Sequence, residues 1–279
     1  MLSLHHLTAL DLTAAQLVDV ASELGCDAVC LFTHLAAHHA GRFPCIATER
    51  EAHEVAQRAR DLGIAVCDLE VFGILPEFDL AALRPGLERG AILGATRATV
   101  HIRDPNERRA ADHFARFCEL AGSMSIIPGL EFTGFSVTRT IAAAAAVVRS
   151  SGAANAGVAV DALHVFRNGM SLADVAAHVP LITYAQLCDG TLVPAQADYY
   201  EEAVANRTVP GEGELPLEEF VRLLPPGVPI AVEVPMHRLR DSGVTALERA
   251  RLAVNGARRV IGSASAKSRP NEASLLRSL

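Results

Sequence analysis

The sequence predicts a single-domain α/β protein, a (β/α)8 TIM barrel, and three observations carry that prediction. Short runs rich in Val, Ile, Leu and Ala recur eight times along the 279 residues, at 2–10, 28–32, 64–70, 98–103, 130–132, 158–161, 181–188 and 229–233. Most of these runs are continuously apolar, which marks strands covered on both faces, as in a parallel sheet with helical crossovers. No linker interrupts the period, and no Gly-rich phosphate fingerprint follows the first strand, as a doubly wound open sheet would normally supply.

Each element has a local reason. Strand one carries His5 and His6, read as satisfied core histidines. Thr13 with Gln16 forms a capping box that opens the first helix, and Gly25 closes it before strand two. The segment THLAAHHAGRFP follows, with His34, His38 and His39. Either it caps the barrel mouth and one histidine meets substrate, or these are ordinary surface histidines; the HExxH pattern is missing, so no second metal site is expected there. Thr48 with Glu51 reads as another capping box, and Gly63 ends that helix before strand three. Strand three finishes on Glu70, for which a substrate hydroxyl and an ion pair with Arg103 compete.

Strand four closes on VHIRD, where side-chain alternation is taken to put one of His101 and Arg103 in the barrel and the other outside. Pro128 and Gly129 lead into strand five, and Gly157 into strand six, with His164 in the first turn of the loop after it. Ser171 with Asp174 starts a further helix. Gln186 and Asp189 finish strand seven. The connection over 189–216 exceeds ordinary loop length and is expected to be a lid or an oligomer contact. Strand eight ends on Glu233. The barrel is placed at 1–262, with a polar tail, frayed or packed on a neighbour, at 263–279.

The formal charge of −7, with no basic run, argues against nucleic-acid binding. Six cysteines without a CxxC pair sit mostly in apolar runs, the pattern of reduced thiols in a cytoplasmic protein. The longest apolar run, over 141–148, is far shorter than a membrane span. The N-terminus does not read as a signal peptide.

In such a barrel the strand-end residues converge on one mouth even when distant in sequence. Three carboxylates, Glu131, Asp161 and Glu233, end strands five, six and eight, and Gln186 sits on strand seven between them. Carboxylates crowded in a low-dielectric mouth repel one another, and a divalent cation removes the repulsion. Oxygen ligands alone suit Mg²⁺, Mn²⁺ or Co²⁺ better than Zn²⁺.

GLEF at 129–132, VAVDALH at 158–164, YAQLCDG at 184–190, VPGEGELPLEEF at 209–220 and IAVEVP at 230–235 resemble, in this order, the sugar-phosphate isomerase/epimerase superfamily of xylose-isomerase-like TIM barrels. The resemblance implies Glu131, Asp161, Gln186 and Glu233 as ligands of one divalent metal, and Glu131, Glu233 and His164 as catalytic groups. It implies that Arg207 contacts an anionic or hydroxyl end of the substrate, beside Glu70 and His101 at the mouth. Gln186 stands where many members carry histidine and is similar to the 3-dehydroshikimate dehydratase branch. The expected activity is isomerisation or epimerisation of a small polyhydroxylated carbonyl compound such as a sugar, sugar phosphate or inosose. The alternatives are a dehydratase sharing the same first proton abstraction and a metal-free sugar-binding barrel. Members often dimerise, so a homodimer is expected.

Overall fold

The computed structural model describes residues 1–36, 41–194 and 198–267. His38 and His39 lie outside the described residues. Nine parallel strands form the sheet: β1 (Leu2–His5), β2 (Ala28–Phe32), β3 (Ala65–Glu70), β4 (Phe72–Ile74), β5 (Arg97–Ile102), β6 (Ile127–Glu131), β7 (Gly157–Asp161), β8 (Ile182–Leu187) and β9 (Ile230–Val232). Their order is β3-β2-β1-β9-β8-β7-β6-β5-β4. Only Val71 separates β3 from β4, so the two are halves of one stave that pairs with β2 through its first half and with β5 through its second. The ring therefore has the eight staves that the sequence predicts, and the fold is a TIM barrel.

Between the staves run α1 (Ala14–Glu23), α2 (Glu49–Leu62), α3 (Leu80–Leu93), α4 (Glu107–Gly122), α5 (Ile141–Ser151), α6 (Ala162–Arg167), α7 (Leu172–Ala176), α8 (Tyr199–Ala205), α9 (Leu217–Leu223), α10 (His237–Asp241) and α11 (Ala246–Lys267). Both reciprocal bonds of a capping box are present at Thr13 and at Ser171. At Thr48 only half of one forms, because Glu51 turns past the cap to accept the N–H of Ala47. Glycines at 63, 94 and 152 end α2, α3 and α5 in the left-handed conformation that lets a chain turn sharply into the next strand. Apolar side chains from both faces of the staves are buried, with Leu4, Leu31 and Leu69, and Phe117 of α4 packed outside them, among those sealed from solvent.

Three boundaries differ from the sequence reading. Strand one stops at His5 instead of continuing to residue 10, because His6–Ala9 turns into a 3-10 helix capped by the His5 side chain. His164 stands in a helix and not a loop: Asp161 is the N-cap of α6, and its carboxylate accepts the backbone N–H of His164 at 3.2 Å. The last helix passes through Gly262 to Lys267, and the rest of the expected tail, 268–279, lies outside the described residues. All six cysteines are free. Among the described residues no helix is long and apolar enough to cross a membrane.

Candidate active site

The parallel staves all end at the same rim, and this brings together residues that lie far apart in sequence. Glu70, His101, Glu131, His164, Arg207 and Glu233 line one cavity of about 100 Å³. Asp161 and Gln186 lie beneath it, sealed from solvent.

Arg207 is the hub. Its Nη1 donates to Asp161 Oδ2 at 2.6 Å and its Nη2 to Glu233 Oε1 at 2.8 Å, while Nε donates to the carbonyl of Ala203 at 2.8 Å. Burial disfavours the Asp161 carboxylate, but Arg207 and His164 outweigh it and hold its pKa below the ordinary range. Glu233 is shifted the other way: burial dominates over Arg207 and His5 and pushes it up to about 8. Glu131 is raised well above the usual carboxylate range by burial and by the charges of Glu70 and Asp161. Its Oε2 lies 2.5 Å from His101 Nε2, and burial lowers the His101 imidazole to about 4. The short contact pairs a carboxyl whose burial favours its protonated form with an imidazole whose burial favours its neutral form.

On the opposite wall the Leu7 N–H donates to His5 Nδ1, which turns Nε2 toward Glu70 Oε1 at 2.9 Å. Gln186 Nε2 donates to the same Glu70 oxygen at 2.9 Å. Burial works against the Glu70 carboxylate, yet His5, His101 and Arg207 hold its pKa below the ordinary range. Of the two readings of Glu70, the ion pair with Arg103 does not form; His5 and Gln186 take that place. His5 is the residue that the sequence reading missed. Its signal was the strand boundary: once β1 ends at residue 5, His5 is a strand-end residue like the others. His6 is a buried core histidine whose Nε2 meets the carbonyl of Leu12 at 3.0 Å, while its Nδ1 has no hydrogen-bond partner.

His101 and Arg103 both face the cavity. They are two residues apart, and a period of two puts such a pair on the same face, so the expected split between inside and outside does not occur. His34 stacks on Phe72 with ring centroids 5.3 Å apart. Asp189 serves the loop and not the mouth: its carboxylate accepts the backbone N–H groups of Gly190, Gly211, Gly213 and Leu215 at 2.8–3.1 Å, which explains the PGEGE motif. A side chain at 213 would overlap that carboxylate, so glycine is required there.

The long connection covers the mouth through α8. Glu202 of α8 accepts both arms of the Arg167 fork at 2.7 Å. Tyr199 OH hydrogen-bonds His164 Nδ1, and a methyl at position 134 would overlap the tyrosine ring. Phe135 packs edge-on against His164 and Tyr200. Burial lowers the His164 imidazole to about 4 despite the nearby Asp161 charge.

Four buried carboxyls, Glu70, Glu131, Asp161 and Glu233, thus crowd one mouth around the buried Arg207 and around His5, which, against its burial, Glu70 and Glu233 raise to about 9. Two buried oxygens face the cluster without a hydrogen-bond partner, Gln186 Oε1 and Glu233 Oε2. Ligand atoms of Glu131, Asp161 and His164 lie within 4.8 Å of one another. Four carboxyls crowded in one mouth and the two orphaned oxygens fit a divalent metal ion, which would take the place of the protons that burial favours on Glu131 and Glu233. His164 brings a nitrogen into that group, which removes the oxygen-only basis for ranking Zn²⁺ below Mg²⁺, Mn²⁺ and Co²⁺.

Glu131 and Glu233 bind protons more tightly folded than unfolded, so the stability they contribute is present below the unfolded carboxylate range and is lost as pH rises, for Glu233 through about 8. Glu70 and Asp161 have the opposite sign and matter only on the acid side. The melting temperature in EDTA is expected to fall between pH 6 and pH 8.5. Added Mn²⁺ is expected to raise it more at 8.5, because binding there displaces fewer protons. A melting temperature indifferent to metal at both values counts against the ion.

A family model described as "Xylose isomerase-like TIM barrel" matches residues 18–259. No curated protein matches the chain significantly. The solved structure of the IOLI protein with a bound zinc atom is 15% identical, with 94% of this chain and 98% of that one covered at a TM-score of 0.77. D-psicose 3-epimerase, solved in the presence of D-fructose, is 18% identical over 94% of this chain and 99% of its own, with a TM-score of 0.67. The probable 3-DHS dehydratase AsbF from Bacillus anthracis is 15% identical over 91% and 97%, also with a TM-score of 0.67. These are likenesses of fold. With the family model spanning nearly the whole barrel, the chain belongs to the xylose isomerase-like TIM barrel family.

Proposed function

We propose that the protein is a divalent-metal-dependent isomerase or epimerase that moves a proton at the carbon next to a carbonyl of a small polyhydroxylated compound. One observation carries this reading. Glu131 and Glu233, on staves three apart in a ring of eight, line one cavity, and burial raises both carboxyls above the ordinary carboxylate range, Glu233 to about 8.

A divalent ion held by Glu131, Asp161, Gln186 and Glu233, with His164 in reach, would offset their charge and acidify a proton next to a carbonyl. The side chains do the rest. Arg207 keeps Asp161 ionised and fixes the direction of Glu233. Glu233, when ionised, removes the proton from one side of the substrate carbon. Glu131, backed by His101, returns one on the other side, which inverts the centre; return to the neighbouring carbon gives an isomer. The neutral His164, held by Tyr199, hydrogen-bonds a substrate oxygen. Glu70, fixed by His5 and Gln186, orients a hydroxyl. Closure of α8 over the cavity excludes water from the carbanion.

The named epimerase and the zinc-bound structure among the neighbours support this class. Loss of a β-hydroxyl after the same abstraction would make the enzyme a dehydratase. Gln186, the feature that favours this second reading, spends its amide N–H on Glu70 and leaves its oxygen free.

The test is solvent-deuterium incorporation into ketoses, inososes and 3-dehydroshikimate with Mn²⁺ present, read by mass spectrometry. Incorporation into a ketose or inosose without loss of water supports an isomerase or epimerase. Incorporation accompanied by water loss from 3-dehydroshikimate moves the assignment to the dehydratase. A metal-loaded protein that incorporates no deuterium into any of them overturns both.

A further inference from the structure

Arg103, at the rim end of the stave that carries His101, lines the same cavity. Among the described residues its side chain makes no hydrogen bond and no ion pair, although its charge is close enough to depress the His101 imidazole. Arg207, the other guanidinium on the cavity, is already committed, with one arm on Asp161, the other on Glu233, and Nε on a carbonyl. The available cation is therefore Arg103, and a partly buried guanidinium is matched best by a carboxylate or phosphate, whose paired oxygens fit its fork.

The rest of the cavity wall is unlike the floor. Leu7, Phe32, Leu35, Phe43, Phe135 and Val204 surround it, with Phe32 and Phe43 stacked at a centroid separation of 5.5 Å. A neutral acyclic polyol presents hydroxyls on every side and would leave several unpaired against such a wall, at a cost for each. A ring with one hydrocarbon face would not.

We propose that Arg103 is the anchor of an anion subsite, and that the substrate is a small compound with a carboxylate or phosphate at Arg103 and a carbon-rich face against the Phe32 and Phe43 wall. This deepens the proposed function and rests on the same cavity being the substrate site.

The experiment is isothermal titration of the Mn²⁺-loaded protein with cis-3,4-dihydroxycyclohexane-1-carboxylate against its carboxamide, and with D-fructose 6-phosphate against D-fructose. In the wild type at least one anion is expected to bind roughly 10- to 100-fold more tightly than its neutral partner, the range for a charged hydrogen-bonded contact. Which pair shows the preference tells a carboxylate substrate from a phosphate one. Arg103→Gln should erase the preference while leaving binding of the neutral partner in place, and Arg103→Lys should restore part of it. Equal binding within both pairs overturns the proposal, and so does a preference that survives in Arg103→Gln, because the anion would then sit elsewhere. Deuterium exchange separates the two readings. Exchange confined to neutral polyols removes the anion subsite and leaves the proposed function, whereas Arg103-dependent binding without any exchange removes the proposed function and leaves the subsite.

Discussion

Replacing Glu233 with glutamine is expected to lower solvent-deuterium exchange by roughly 10²- to 10⁴-fold, the usual contribution of a positioned general base. The substitution removes the group proposed to take the proton but keeps the shape of the side chain. The amide oxygen can still accept Arg207 Nη2, which now lies 2.8 Å from Glu233 Oε1. It also removes a carboxyl that burial pushes up to about 8, so the fold should hold and the melting temperature should change little. The two readouts together isolate the chemistry. Exchange retained in a folded Glu233→Gln protein would take this residue out of the mechanism, and the Glu131 and Glu233 pair with it.

The largest expected effect on stability comes from Arg207→Met. The guanidinium is buried, as are both carboxylates it bridges, and removing one member of such a network leaves charges with neither solvent nor partner. The cost is about 3–5 kcal/mol, seen as a fall in melting temperature on the order of 10 °C for a domain of this size. Asp161 and Glu233 would answer by taking up protons, so the loss should be smaller at pH 5 than at pH 8. Pairing Arg207→Met with Glu233→Gln should recover part of it, since one of the stranded charges is then gone, and a double-mutant cycle measures the coupling. A loss below about 1 kcal/mol, the scale of an exposed ion pair, would mean that the guanidinium does not sit between the two carboxylates.

Asp161 does more in the folded chain than its motif implies. In sequence, Asp-x-x-His reads as a metal ligand followed by a substrate-facing histidine. In the folded chain Asp161 also caps α6 and anchors Arg207. Asp161→Ala would therefore remove a helix cap and a counter-ion as well as a ligand. Asp161→Asn, which keeps the cap, is the cleaner probe of metal content by elemental analysis.

The sequence by itself determined the fold and the composition of the mouth. Eight apolar runs, six of them led in by a glycine and most closed by a polar residue, are enough to specify a parallel barrel, because a strand buried on both faces needs no alternation and a crossover needs only a cap and a stop. The rule that parallel strands end at one rim then brings Glu70, His101, Glu131, Asp161, Gln186 and Glu233 together without any knowledge of distances.

Tertiary structure alone decided how these residues divide. Arg207 lies in a connection with no period of its own, and only the folded chain shows that it bridges Asp161 and Glu233 while Arg103 is left open to the cavity. Tyr199 reaches His164 from 35 residues away, and His5 meets Glu70 from two staves away, past β2. Sequence patterns record which face of an element is buried, since burial is a property of one residue and its neighbours along the chain. Charge pairing inside a closed mouth depends on distances between separate elements, and those exist only after the barrel has shut.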